Sequence, residues 1–239
     1  MAELNLDSAV GQWVAQRPET ARVFEALQID YCCSGGRPLH AACVQRRLDP
    51  QQVLQQLQAA TATAADEPPA NWTAASMTEL CDHIQQTHHV YLQRELPRLQ
   101  AMLEKVCEVH GPRHAELGEV RQAFAALQAE LGPHMFKEEQ ILFPAIRRLE
   151  QSAARPDFPF GTVANPIRMM EHEHDNAGDA LAHIRLATAD YRVPEDACPT
   201  YRALLDGLHQ LELDMHQHVH KENNILFPRA IERERAGSA

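Results

Sequence analysis

The chain has 239 residues and a formal net charge of −11, with 22 Lys and Arg against 33 Asp and Glu. It lacks the basic excess by which nucleic-acid and anionic-membrane binders hold their partners, and both classes are excluded. Its start, MAELNLDSAV, shows no basic region leading into an apolar core, and no apolar run is long enough for a bilayer, so a soluble, cytoplasmic protein is expected. Cys32, Cys33, Cys43, Cys81, Cys107 and Cys198 show no C-x-x-C spacing and read as reduced thiols. Fourteen histidines are the compositional anomaly, and they ask for metal or for surface titration.

Residues 1–60 read as a small helical domain. Leu6 to Gln16 carries Val10 and Val14 four apart, and Pro18 opens a helix with Val23, Phe24 and Leu27 on one side. Asp30-Tyr-Cys-Cys-Ser-Gly-Gly36 breaks that pattern with a cysteine-bearing turn, and helices follow at 39–47 and 51–58. Residues 61–76, rich in Ala, Thr and Pro, read as a linker. Residues 77–239 hold four long helical patterns, at about 77–109, 114–150, 165–189 and 198–233. An all-α fold is predicted, an antiparallel four-helix bundle preceded by the small helical domain. Asn165 is expected to cap the third helix. Pro97, Pro144 and Pro228 predict kinks or early ends, and Gly132-Pro133 a disturbance beside His134.

One phrase occurs twice, His134-Met-Phe-Lys-Glu138-Glu-Gln-Ile-Leu-Phe-Pro144 and His218-Val-His-Lys-Glu222-Asn-Asn-Ile-Leu-Phe-Pro228. Four-residue spacing puts His and Glu on one helix face. His89 and His174 precede the two copies by 45 and 44 residues, so a helix-pair unit is repeated. The apolar stripes select the inward histidines. His174 lies on the line Ile167, Met170, Ala177, Leu181, Ile184, and His218 and Glu222 lie on Leu204, Leu208, Leu211, Met215, Ile225. His134 and Glu138 continue Val120, Phe124, Leu127 and Leu131 towards Ile141 or Leu142. His89 continues Leu92, Leu96, Leu99 and Leu103, although Gln85 and Asp82 lie behind it, and it is preferred to His88. His172, His216 and His220 are expected on the surface. Four inward imidazoles and two inward carboxylates exceed one tetrahedral zinc site and suit two six-coordinate ions with bridging carboxylates. Mixed imidazole and carboxylate ligation suits iron, with manganese as the chemical alternative, and the site reads as a di-iron centre, two non-haem Fe ions bridged by oxide and carboxylate. Glu130 and Asp214, one turn before the repeated histidines, and Glu173, beside His174, are candidates to orient an imidazole or to give iron a path.

With these residues in place the chain resembles the iron-sulfur cluster repair di-iron proteins, the repair-of-iron-centres family. The likeness rests on the double-cysteine turn, both His-x-x-x-Glu-x-x-Ile-Leu-Phe-Pro phrases and Glu173-His174-Asp-x-Ala-Gly178. It implies a hemerythrin-like bundle whose metal ligands are His89, His134, Glu138, His174, His218 and Glu222. It further implies a cytoplasmic stress protein that restores damaged iron-sulfur clusters, with the damaged proteins as partners and Cys32 and Cys33 as thiols towards iron or nitric oxide. Reversible dioxygen or nitric oxide binding, and nitric oxide reduction at the di-iron site, are the competing functions. Oligomeric state, a homodimer included, stays open.

Overall fold

The computed structural model describes residues 4–62 and 71–237, and all of its extended elements are helices. The small module contains α1 (Val10–Gln16), α2 (Ala21–Ala26), α3 (Leu39–Gln45) and α4 (Pro50–Ala62). Val10, Trp13, Phe24, Tyr31, Leu39, Val53 and Leu57 bury its apolar side. Of the segment expected as a linker, α4 takes the first two residues, and residues 63–70 lie outside the described residues.

The first bundle helix runs through α5 (Met77–His83), a π-helical segment (Ile84–His89) and α6 (Val90–His110). Ser76 caps it by accepting from the Glu79 N–H at 3.1 Å, while Glu79 returns the bond to the Ser76 N–H. The second comprises α7 (Glu116–Lys137), a π segment (Glu138–Leu142) and α8 (Phe143–Gln151). The third is α9 (Ala164–Ala187), and the fourth joins α10 (Pro199–Lys221), a π segment (Glu222–Leu226) and α11 (Phe227–Ala236). Helix α6 packs on α7 and α10, and α9 on the same two, which closes the four-helix ring.

The bundle has two apolar cores. One gathers Leu92, Leu96, Leu131, Met135, Ala177, Leu181, Leu211 and Met215; the other gathers Leu80, Ile84, Leu142, Phe143, Ile167, Met170, Ile225 and Phe227. Along each helix the chain passes from one core to the other through a candidate ligand, and the order reverses from helix to helix. A polar layer thus separates the cores across an antiparallel bundle.

None of the prolines Pro97, Pro133, Pro144 and Pro228 ends its bundle helix early. Pro97 and Pro133 lie inside continuous helices. Pro133 and Ala129, whose carbonyl it leaves without a donor, are both solvent-facing, so water can take that carbonyl. Pro144 and Pro228 each follow a π segment, whose widened turn absorbs the missing donor. Asn165 lies inside the first turn of α9; the Val163 N–H before it is taken by Glu234 of the fourth helix, at 3.2 Å.

Candidate metal centre

The three π segments all lie at the polar layer, and they determine which side chains reach it. In an α-helix, stepping back from His89 by three or four residues meets Gln85 and Asp82. The π turn adds one residue to the step, so Ile84 and Leu80 precede His89 on its buried face. Beyond Glu138 the same insertion brings Leu142 and Phe143 inward and leaves Ile141 exposed.

His89, His134, Glu138, His174, His218 and Glu222 come together here, none more than 2% exposed. They form two groups, His89, Glu138, His218, Glu222 and His134, Glu138, His174, Glu222, each with ligand atoms within 4.8 Å of one another. Both carboxylates belong to both groups. Nε2 of His89 and of His134 each lie 3.3 Å from Glu138 Oε2. Glu222 has Oε1 at 3.1 Å from His218 Nε2 and Oε2 at 3.2 Å from His174 Nε2.

The outer nitrogens of three of these rings have fixed partners. His89 Nδ1 donates to Glu139 at 2.8 Å, His134 Nδ1 to Glu173 at 2.9 Å and His174 Nδ1 to the Asn223 amide oxygen at 2.9 Å. Lys137 holds the other oxygen of Glu173. Fixing the proton at Nδ1 leaves Nε2 as a lone pair, so acceptors converge on the interior. His134 and His174 point their Nε2 atoms at each other across 3.2 Å. Both Glu138 oxygens, His89 Nε2 and Glu222 Oε2 are buried with no hydrogen-bond partner among the described residues. Such an array is costly unless cations sit within it, and a pair of metal ions fits the donor set.

The electrostatics show what the layer does when protons alone are available. Burial works against charge on Glu222, but His218 and His174 beside it more than offset that and hold the carboxyl well below the usual range. Burial opposes the imidazolium of His134, yet Glu138, Glu222 and Glu173 push its pKa up to about 9. Buried His218 is pulled down despite Glu222.

Several expectations change. Glu130 is exposed on α7 and makes no hydrogen bond to an imidazole among the described residues. Asp214 accepts from His88 Nδ1 at 2.9 Å and not from His218. Of the three acids singled out, Glu173 alone contacts one of the four imidazoles of the ligand groups. His88 is buried and stacks on His218 at 5.2 Å with rings 1° from parallel. His220 is buried and His216 half-buried, because the small module covers that face: His216 donates to Glu25 at 3.0 Å and His220 packs edge-on against Tyr31. His172 is exposed, as expected. Glu139 and Asn223 were missed. Both directly follow the repeated glutamates, and that shared place in the phrase was the available signal.

The cysteine turn sits over the third helix. Asp30 accepts from the N–H groups of Cys32, Cys33 and Ser34 at 2.9–3.0 Å, and Cys33 Sγ lies 3.7 Å from the His174 carbonyl oxygen. The two thiols are free, with sulfurs 3.8 Å apart, and hydrogen bonding to Cys33 together with burial pushes Cys32 well up. Asn224 of the fourth helix donates to the Cys32 carbonyl at 2.9 Å, and a Cβ at Gly11 or Gly35 would collide with it, so both glycines permit the docking.

Residues 82–230 match the Hemerythrin HHE cation binding domain, and residues 6–61 match ScdA_N, a Domain of Unknown function (DUF542). The chain is 35% identical over 227 residues to the iron-sulfur cluster repair protein YtfE of Musicola paradisiaca, covering 94% of this chain and 96% of that protein. It is 36% identical over 215 residues to a probable iron-sulfur cluster repair protein of Haemophilus influenzae, with 90% and 92% covered. With YtfE of Escherichia coli O17:K52:H18 the identity is 34% over 226 residues, with 94% and 97% covered. No helix among the described residues is long and apolar enough to cross a membrane. The shared module, bundle and near full-length identity place this chain in the family of hemerythrin-type iron-sulfur cluster repair proteins.

Proposed function

We propose that this protein repairs iron-sulfur clusters damaged by nitrosative or oxidative stress, donating iron held as a non-haem pair by His89, His134, Glu138, His174, His218 and Glu222. The observation that carries this reading is that both buried carboxylates belong to both ligand groups. Two bound irons supply transferable metal and a one-electron couple. Imidazole and carboxylate hold iron less firmly than a thiolate cage, which suits a donor. The chain's own part is orientation and exclusion. Glu139, Glu173 and Asn223 hold the outer ring protons, so the inner nitrogens stay available, and the two apolar cores keep water from the layer.

The relatives are named for iron-sulfur cluster repair. Carried to this chain, that makes proteins with damaged clusters its partners in the cytoplasm, with nitric oxide or dioxygen as small ligands. In the double-cysteine domain, residues 1–60, Cys33 lies against the His174 carbonyl with Cys32 beside it, and on this reading the two thiols would meet departing iron or incoming nitric oxide.

Incubating the iron-loaded protein anaerobically with an enzyme whose cluster has been damaged by nitric oxide tests the reading. Enzyme activity should return as the protein's iron falls, and Glu222→Ala should restore none. If activity never returns while nitric oxide binds reversibly, the protein is a gas-binding module; if nitric oxide is consumed with turnover, it is a reductase.

A further inference from the structure

A second constellation of ligand-type side chains lies at the far end of the bundle, on the order of 30 Å from His89 by the rise of α6. His110 ends α6, His114 follows in the turn to α7, and Asp196 comes from the loop before α10. The His114 N–H bonds the His110 carbonyl at 3.0 Å, so this turn continues the helical spacing and brings both rings to one side, with centroids 6.1 Å apart. One ligand atom from each of the three residues lies within 4.8 Å of the other two.

His114 alone would be unremarkable as an imidazole between two acids. Its Nδ1 faces Glu116 and its Nε2 faces Asp196 Oδ1, each at 2.9 Å, while Arg113 holds the other Asp196 oxygen at 3.2 Å. His110 is not explained that way. It is 3% exposed, and neither of its ring nitrogens has a hydrogen-bond partner among the described residues. Packing on Tyr201, at 5.2 Å between centroids, accounts for the face of the ring and leaves both nitrogens unsatisfied. A buried imidazole with an open lone pair beside a second imidazole and a carboxylate is the donor set of a borderline divalent cation. Glu116, fixing the outer nitrogen of His114, supplies the carboxylate–histidine support usual behind such ligands.

We propose that His110, His114 and Asp196 form a mononuclear site for a divalent transition cation of the zinc type, separate from the paired centre. Three protein ligands leave a fourth position for water. Binding replaces the proton shared between His114 Nε2 and Asp196, and gives His110 the partner it lacks.

The test uses iron-loaded, full-length protein titrated with Zn²⁺ against a chromophoric chelator, with the iron absorption recorded throughout. One zinc per chain should bind without release of iron. Asp196→Asn and His114→Gln should weaken that zinc at least tenfold and leave iron content unchanged. His110→Phe, which keeps the ring packing and removes both nitrogens, should do the same with its unfolding transition intact. Zinc should also raise the Tm of the unsubstituted protein and not that of Asp196→Asn. Zinc that enters only as iron leaves, or that binds His110→Phe and Asp196→Asn as tightly as the unsubstituted protein, overturns the proposal.

Discussion

The two helix pairs of the bundle share one repeated phrase, yet they secure their histidines differently. The residue before the lone histidine is His88 in the first pair and Glu173 in the second, while a lysine precedes each repeated glutamate, Lys137 and Lys221. Across one diagonal Lys137 holds Glu173, and Glu173 takes the outer proton of His134 at 2.9 Å. Across the other, Lys221 donates to His88 Nε2 at 2.9 Å and His88 donates to Asp214, so His88 only stacks on His218. The His218 Nδ1 atom is left without a hydrogen-bond partner among the described residues. A ring whose outer nitrogen is tied has its tautomer and orientation fixed; an untied ring does not. The group of His134 and His174 is therefore rigid at both imidazoles, and the group of His89 and His218 at one. A near-symmetric frame yields two unequal ligand groups.

Removing what the two groups share abolishes the comparison, so it has the largest effect. Glu138→Ala and Glu222→Ala should each lose both irons, a greater loss than the roughly 10–100-fold that follows removal of an outer partner. Metal analysis of the purified variants measures this; retention of one iron would mean that the groups do not share their carboxylates. Next come the outer partners. Iron-loaded protein challenged with a strong chelator should release metal in two phases, the faster from the group containing His218. Glu173→Gln should speed the slower phase by about 10-fold or more and bring the two together. The converse change sharpens the difference: His88→Glu with Asp214→Asn gives Lys221 a carboxylate to hold beside His218. It should slow the fast phase by a few-fold, read from the same chelator trace.

How much of this was legible from the sequence differs by element. The stripes through His174 and through His218 are continuous because α9 and α10 keep a 3.6-residue period up to their ligands, and every member of both stripes is buried. The stripe behind His89 failed at Gln85 and Asp82 because the π turn at Ile84–His89 adds a residue that no α-helical count contains. Glu139 and Asn223 lie in the other two π segments, Glu138–Leu142 and Glu222–Leu226; consecutive residues on an α-helix point about 100° apart, so neither was expected at the layer beside an inward glutamate. His216 and His220 were placed on the surface because periodicity describes one helix at a time. What covers their face is Tyr31 and Glu25, nearly 200 positions away in the chain, and only the tertiary fold supplies that. Glu130 and Asp214 occupy equivalent places in the repeat, yet one is exposed and the other meets His88; position in the phrase did not predict the contact.

The smallest effect is a graded one, and it asks whether protons stand in for the cations. In metal-free protein the His134 pKa is raised to about 9, so the stability this group contributes is complete below its ordinary value of 6.5 and is lost as pH rises through about 9. The half-buried His83 and the buried His220 have the opposite sign. Both are lowered to about 4 by burial, so the native state resists protonating them and stability falls as pH drops below 6.5. Lys221, lowered to about 8 by burial, adds stability as pH rises from there towards its ordinary 10.5 and partly masks the loss from His134. Metal-free protein should therefore be most stable near pH 6.5 and weaken most clearly between 6.5 and 8. The iron-loaded form should stay flat across that window, because the lone pair of His134 is already engaged. Denaturant midpoints of both forms at half-unit pH steps decide it, and loading near pH 7.5 should release about one proton from His134, measurable by calorimetry in buffers of different ionisation enthalpy. A metal-free midpoint that does not move between pH 6.5 and 8 would show that no proton occupies the position between His134 and Glu138.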